Sequence, residues 1–159
     1  MVKHRRVLFI ILFAFVLVLG CNSLWSQTYE DKAWCYRVSV PPDWRIKAGA
    51  ETTAHFIYNR DAAFHITADP DQPPVTLTHS LERLKAGGFD KYIESVQDTT
   101  VDGEPALWLN ISPALDYRYV VIVVNPDCTA IGLPLLILTN QEDPRELAQF
   151  LKNIQLIRK

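Results

Sequence analysis

Residues 119–124 read Tyr119-Val120-Val121-Ile122-Val123-Val124, six side chains without a charge or an amide among them. Alternate residues of a strand point to opposite faces, so this segment has no face suited to water. It has to be covered on both sides, which places it in the middle of a sheet. Asn125-Pro126-Asp127 then turns the chain, and the segment from Thr129 to Thr139 is expected to return antiparallel to it. Pro134 interrupts that return and predicts a bulge or an edge position, because proline has no donor for the ladder.

Other strands are legible on either side. Tyr36, Val38 and Val40 alternate with Arg37 and Ser39, the period-two pattern of a half-buried strand. Pro41-Pro42 ends it, and Trp44 is expected to pack back over the core. Ala54 to Tyr58 and Ala62 to Ala68 read as short strands around the turn-prone Asn59-Arg60-Asp61. Asp69 to Pro74 reads as loop. Tyr92 to Val101 and Ala106 to Ile111 flank Asp102-Gly103, a tight-turn signal.

Two helices complete the pattern. Leu77, Leu81 and Leu84 form a narrow apolar stripe, with Thr76 as N-cap and Gly87-Gly88 as terminator. In the second helix Asp143 caps, Pro144 takes the first position and Glu146 suits a capping box. Leu147, Phe150, Leu151 and Ile154 then supply its apolar stripe. About six to seven strands with two helices imply an α+β fold, an antiparallel sheet flanked by helices. No repeat and no second domain is visible.

The beginning of the chain has a different character. Lys3, Arg5 and Arg6 precede Val7 to Leu19, an uninterrupted apolar run. The run is shorter than the roughly 20 residues needed to span a bilayer and fits the hydrophobic region of a signal peptide. Val18-Leu19-Gly20-Cys21 resembles a bacterial lipobox, which makes residues 1–20 a lipoprotein signal peptide and Cys21 the lipidation site. Several acyl chains on one residue anchor stably, at about 0.8 kcal/mol per buried CH2. An uncleaved anchor and ordinary secretory cleavage are the alternatives. The expected localisation is membrane-anchored and extracytoplasmic: the periplasmic face of the outer membrane in a Gram-negative cell, the cell surface otherwise.

Removing residues 1–20 leaves 139 of 159 residues, enough for one packed domain. Residues 21–33 are expected to be a lipidated tether and 34–159 the domain. The signal removes three basic residues and no acidic one, so the formal charge of −2 becomes −5, thirteen basic against eighteen acidic residues. Such a balance argues against nucleic acid, whose phosphates need clustered cations. It also leaves the membrane to be held by acyl chains rather than by a basic face. With Cys21 assigned to lipid, Cys35 and Cys128 remain as a pair in an oxidising compartment, and a disulfide between them is the expectation. Two separately buried thiols are the alternative.

Three motifs carry a resemblance to a known family. Tyr36-x-Val38-x-Val40-Pro41-x-x-Trp44 opens the domain, Val101-Asp102-Gly103-x-Pro105-Ala106 lies mid-chain, and Phe150-x-x-x-Ile154 closes it. Their order and spacing resemble the PsbP-like superfamily over roughly Tyr36 to Ile157. These are small antiparallel α/β/α domains, of which the best known is an extrinsic photosystem II protein and many are bacterial lipoproteins. The resemblance implies a scaffold for binding or assembly without a shared catalytic site, with Trp44 and Phe150 in the core and Gly103 in a turn. This chain is shorter than the photosynthetic member, so photosystem binding is not carried over.

The sharpest chemical candidate is a pair of histidines. If Asn59-Arg60-Asp61 closes a three-residue hairpin, His55 lies directly opposite His65. Opposed side chains have Cβ atoms about 5 Å apart, close enough for two imidazoles to share a Zn or Cu ion. A third ligand would have to come from His79 or an acidic residue. A two-ligand zinc site is incomplete, and the simpler expectation is two solvent-facing histidines with Phe56 and Phe64 in the core. Asp69 and Asp71 read as solvated loop, Ser112 lies in no nucleophile elbow, and Trp108, Tyr117 and Tyr119 read as core or as a ligand face. The leading expectation is a non-catalytic, lipid-anchored envelope module with a protein partner. The alternatives are capture of a metal or small ligand at the His55/His65 face, or an enzyme whose site assembles only in three dimensions.

Overall fold

A computed structural model describes residues 26–48, 53–57, 63–68, 76–128 and 133–158. The expected signal peptide and Cys21 lie outside the described residues, as do Asn59-Arg60-Asp61 and the loop from Asp69 to Pro74. In chain order the strands are β1 (Gln27–Asp31), β2 (Tyr36–Val40), β3 (Arg45–Ala48), β4 (Thr53–Ile57) and β5 (Ala63–Ala68). Helix α1 (Leu77–Leu84) follows, then β6 (Ile93–Val101), β7 (Glu104–Ile111), β8 (Tyr119–Asn125) and β9 (Leu133–Thr139). Helix α2 (Pro144–Leu151) and β10 (Ile154–Leu156) close the chain.

Seven strands make one antiparallel sheet in the order β3-β4-β5-β9-β8-β7-β6, and β1-β2-β10 make a second, smaller one. The apolar segment that suggested an interior strand is β8, held between β9 and β7, with Val120 to Val123 at most 1% exposed. Its two faces enter two separate cores. Val121 and Val123 join Phe56, Phe64, Ile66, Leu135 and Ile137 under α2 and the small sheet. Val120 and Ile122 join Leu109 and Ile111 under Leu77, Leu81 and Leu84 of α1.

The helices cap as their sequences require. The Thr76 hydroxyl accepts from the His79 amide at 3.1 Å, and the Asp143 carboxylate accepts from the Arg145 amide at 2.9 Å. Regular helix stops at Leu84; a wider turn over Lys85–Phe89 continues to Gly88, whose φ of +95° breaks it. Asp102 and Gly103 both have positive φ, the left-handed pair that a tight hairpin demands. The Asp102 carboxylate also accepts from the Leu156 amide at 2.9 Å, so this turn ties β10 to the large sheet.

Two expectations are corrected. Residues 27–31 are strand rather than tether, paired with β2 from Gln27↔Val40 to Asp31↔Tyr36. The polar segment is retained because Tyr29 packs its ring against Tyr36 and Phe56, at 6.0 and 5.7 Å between centroids. Ile154 is not part of the α2 stripe; the helix ends at Leu151 and Ile154 pairs with Val38 in β10. It still reaches the same core, by another route. Pro134 makes no bulge: it pairs with Val124 inside the regular β8–β9 register, and on its other side it lies one residue beyond Leu135, the last β5 partner among the described residues, which is the edge position of the two that its sequence allows.

An aromatic stack joins the layers. Phe150 of α2 lies 4.2 Å from Phe64, Trp44 stacks on Phe64 at 5.7 Å, and Phe56 completes the group 5.6 Å from Phe150. Trp44 therefore does pack back over the core. A disulfide joins Cys35 to Cys128, with Cα atoms 5.5 Å apart. Beside it the fully buried Asn125 donates to the carbonyls of Cys35 (2.9 Å) and Ile157 (3.2 Å), and its side-chain oxygen accepts from the Asp127 amide. Because Phe150 touches β4, β5 and the Trp44 segment at once, Phe150→Ala is expected to cost about 3–5 kcal/mol. Urea unfolding of the purified chain measures it, and a loss under about 1 kcal/mol would show that the stack is dispensable.

Candidate functional site

Helix α2 covers the middle of its face of the sheet and leaves the β6–β7 side open. The result is a cleft of about 690 Å³. Its floor is Gln97, Trp108, Asn110 and Tyr119, its wall Pro144, Arg145 and Ala148 from the start of α2, and Glu94 and Arg118 lie at its margin. Register places these floor residues together: Trp108 pairs with Gln97 on one side, and Asn110 with Tyr119 on the other.

The polar ends of the floor are tied down within the protein. Trp108 Nε1 donates to Asn110 Oδ1 at 3.1 Å, and Asn110 Nδ2 donates to Ser95 Oγ at 2.6 Å. Tyr119 donates its hydroxyl to the Glu142 carbonyl at 2.9 Å. The two rings meet edge to face at 5.4 Å. A ligand therefore meets rigid π faces, while the exposed Gln97 on the floor and Glu94 at the margin offer polar groups. Of the three aromatics in question, Trp108 and Tyr119 form this face; Tyr117 lies 5.9 Å from the His65 ring instead.

The histidine pair forms on the opposite face, the one that carries α1. His55 and His65 are direct partners in the β4–β5 ladder, as the hairpin argument requires, with Phe56 opposite Phe64 in the core. Their Nδ1 atoms are 2.5 Å apart and their ring centroids 4.5 Å, at 85°. Both side chains are half-buried rather than solvent-facing. Burial, and then the neighbouring His55, hold the His65 pKa below the ordinary imidazole value. His79 is exposed on α1, and among the described residues no group of three His, Cys, Asp or Glu converges on one point.

Remaining candidates have structural roles. Ser112 donates its amide to the Tyr92 carbonyl at 2.8 Å and accepts from Leu115 in a turn. Asn110 belongs to the cleft floor. The cleft as a whole was not legible in the sequence, because its lining comes from three strands and a helix; only the aromatic pair hinted at it.

No protein-family model matches the chain, and no curated protein does. Solved structures do. The solution structure of cyanobacterial PsbP (CyanoP) from Synechocystis sp. PCC 6803 aligns with a TM-score of 0.54 at 13% identity, over 82% of this chain and 92% of that one. A crystal structure from Bacteroides thetaiotaomicron VPI-5482 aligns with a TM-score of 0.54 at 12% identity, over 86% of this chain. The chain spans half the length of that protein. The fold is thus an α+β fold of the PsbP-like type.

The depressed His65 pKa has a consequence for stability. In the unfolded chain His65 takes a proton near pH 6.5; in the folded chain it does so at lower pH. Between those values the unfolded state binds more protons, so stability falls as pH drops through the window. His65→Gln is expected to flatten that fall when urea midpoints are compared between about pH 7 and about pH 5. An unchanged pH slope in the variant would show that His65 is not the group responsible.

Proposed function

We propose that this chain is an extracytoplasmic binding or assembly module, held at a membrane by acyl chains on Cys21, that takes a protein partner in the Trp108–Tyr119 cleft. The cleft carries the reading. It gathers Trp108, Tyr119, Arg118 and Arg145, the residue types that dominate the energetics of protein interfaces. Its rings are held by internal hydrogen bonds, so little side-chain entropy is lost when a partner stacks on them. Arg145 is engaged by Asp143 through two nitrogens, which fixes the guanidinium at the wall. The role is non-catalytic: such a lining offers stacking and hydrogen bonding rather than proton transfer to a bound group.

The Cys35–Cys128 disulfide supports an oxidising compartment. No helix among the described residues is long and apolar enough to cross a membrane. The first strand among the described residues begins at Gln27, six residues after Cys21, so acyl chains on Cys21 would hold the domain close to the bilayer surface.

Two experiments test the two halves of this reading. For the cleft, a photo-cross-linking residue at Gln97 in cells is expected to yield a discrete protein adduct. Adding Glu94→Arg should abolish it, whereas the same probe at Lys47, on the far sheet edge, should give none. Equal adducts from both positions would dismiss the cleft as the docking site. For the anchor, Cys21→Ser is expected to release the protein from the membrane fraction. A Cys21→Ser protein that is still processed and membrane-bound would refute lipidation.

A further inference from the structure

We propose that His55 and His65 bind a single copper(I) ion between their Nδ1 atoms. The site rests on the backbone. β4 and β5 run between β3 and β9, so both strands are hydrogen-bonded on each side and the spacing of the two Cα atoms is set by the ladder. Two imidazoles project from directly opposed positions with their Nδ1 atoms facing across 2.5 Å. Both nitrogens cannot hold a proton in that gap, so at least one lone pair is aimed into it.

The surroundings select the ion. Zinc takes four ligands, and its protein sites supply at least three. Here no third His, Cys, Asp or Glu joins the pair among the described residues. Copper(I), a filled-shell monovalent ion, is satisfied by two imidazoles in a line. Charge points the same way. Lys47 lies directly opposite His55 on β3, while the apolar Leu138 lies opposite His65 on β9 and the Tyr117 ring packs against His65. A cation beside the site repels a divalent ion twice as strongly as a monovalent one.

The geometry needs one adjustment. Two metal–nitrogen bonds of about 2 Å in a line put the nitrogens about 4 Å apart. Starting from 2.5 Å, the rings must swing apart by roughly 1.5 Å, a turn about the broad χ2 torsion of histidine. Cβ atoms about 5 Å apart leave room for that. In the absence of metal the same two nitrogens share a hydrogen bond, which keeps the pair apposed. Burial, which already disfavours the charged form of His65, favours the neutral ligand a metal requires.

The test uses the full chain carrying Cys21→Ser, so that the Cys21 thiol cannot compete, with ascorbate as reductant and bicinchoninate as competing copper(I) chelator. One copper(I) per chain is expected. His55→Gln and His65→Gln should each weaken binding by about a hundredfold or more, as loss of one of two ligands exceeds the 10–100-fold effect of an outer partner. X-ray absorption should show two nitrogen neighbours and the pre-edge feature of linear copper(I). Circular dichroism shows whether the variants remain folded, and Lys47→Leu, which removes the charge, keeps both imidazoles and adds no ligand atom, should tighten binding. Sulfur neighbours, affinity indifferent to both substitutions, or zinc bound more tightly than copper(I) would each overturn the assignment.

Discussion

Everything in this fold is arranged around a strand with no polar face. Along β8, Val121 and Val123 point into one core while Val120 and Ile122 point into another. Burying one branched aliphatic side chain contributes roughly 1.5–3 kcal/mol, so exposing either face would forfeit several such contributions. The large sheet must therefore be covered twice. The chain does this with two crossings, β5 to α1 to β6 over one face and β9 to α2 to β10 over the other. The order of elements follows from that need for two layers.

The two covers are unequal, and both candidate sites follow from the inequality. On one face α2 shares the work with the small sheet, and the Trp44–Phe64–Phe150 stack locks them together. Between them they leave a gap in which Trp108 and Tyr119 stay half-buried beside the first turn of α2. On the other face the α1 core includes Leu136 and Leu138 of β9. His55 and His65, farther toward the β3 edge, lie outside that core and are half-covered. Both candidate sites are therefore margins of a covering layer. They lie on opposite faces of the sheet, so a partner in the cleft and an ion between the histidines would not compete.

One small region ties the beginning, middle and end of the domain together. The Cys35 carbonyl accepts from both the Asn125 side chain and the Ile157 amide, next to the disulfide to Cys128. Asn125 is a buried polar group whose donors and acceptor are all used, which makes it a specific clamp rather than a cost. The residue before β2 and the residue after β10 are fixed here to the end of the apolar strand. Cys35 itself adopts positive φ, a backbone state that neighbouring hydrogen bonds and the crosslink hold in place.

By itself the sequence determined the elements whose signal is local. Alternation placed β2, the run of branched residues made β8 interior, and Asp102-Gly103 specified its hairpin. Thr76 and Asp143 began the helices, and a short turn put His55 opposite His65. Each of these depends on side-chain period or turn chemistry within a few residues. Tertiary structure decided what depends on distant partners. The polar segment of β1 is a strand because Tyr29 finds Tyr36 and Phe56. Ile154 leaves the helix because Val38 offers a ladder. Pro134 is accepted in a central strand because the β5 partners among the described residues stop at Leu135. The cleft exists because three strands and a helix meet without filling the space between them. Local pattern specifies which way a side chain points; only packing decides what it meets there.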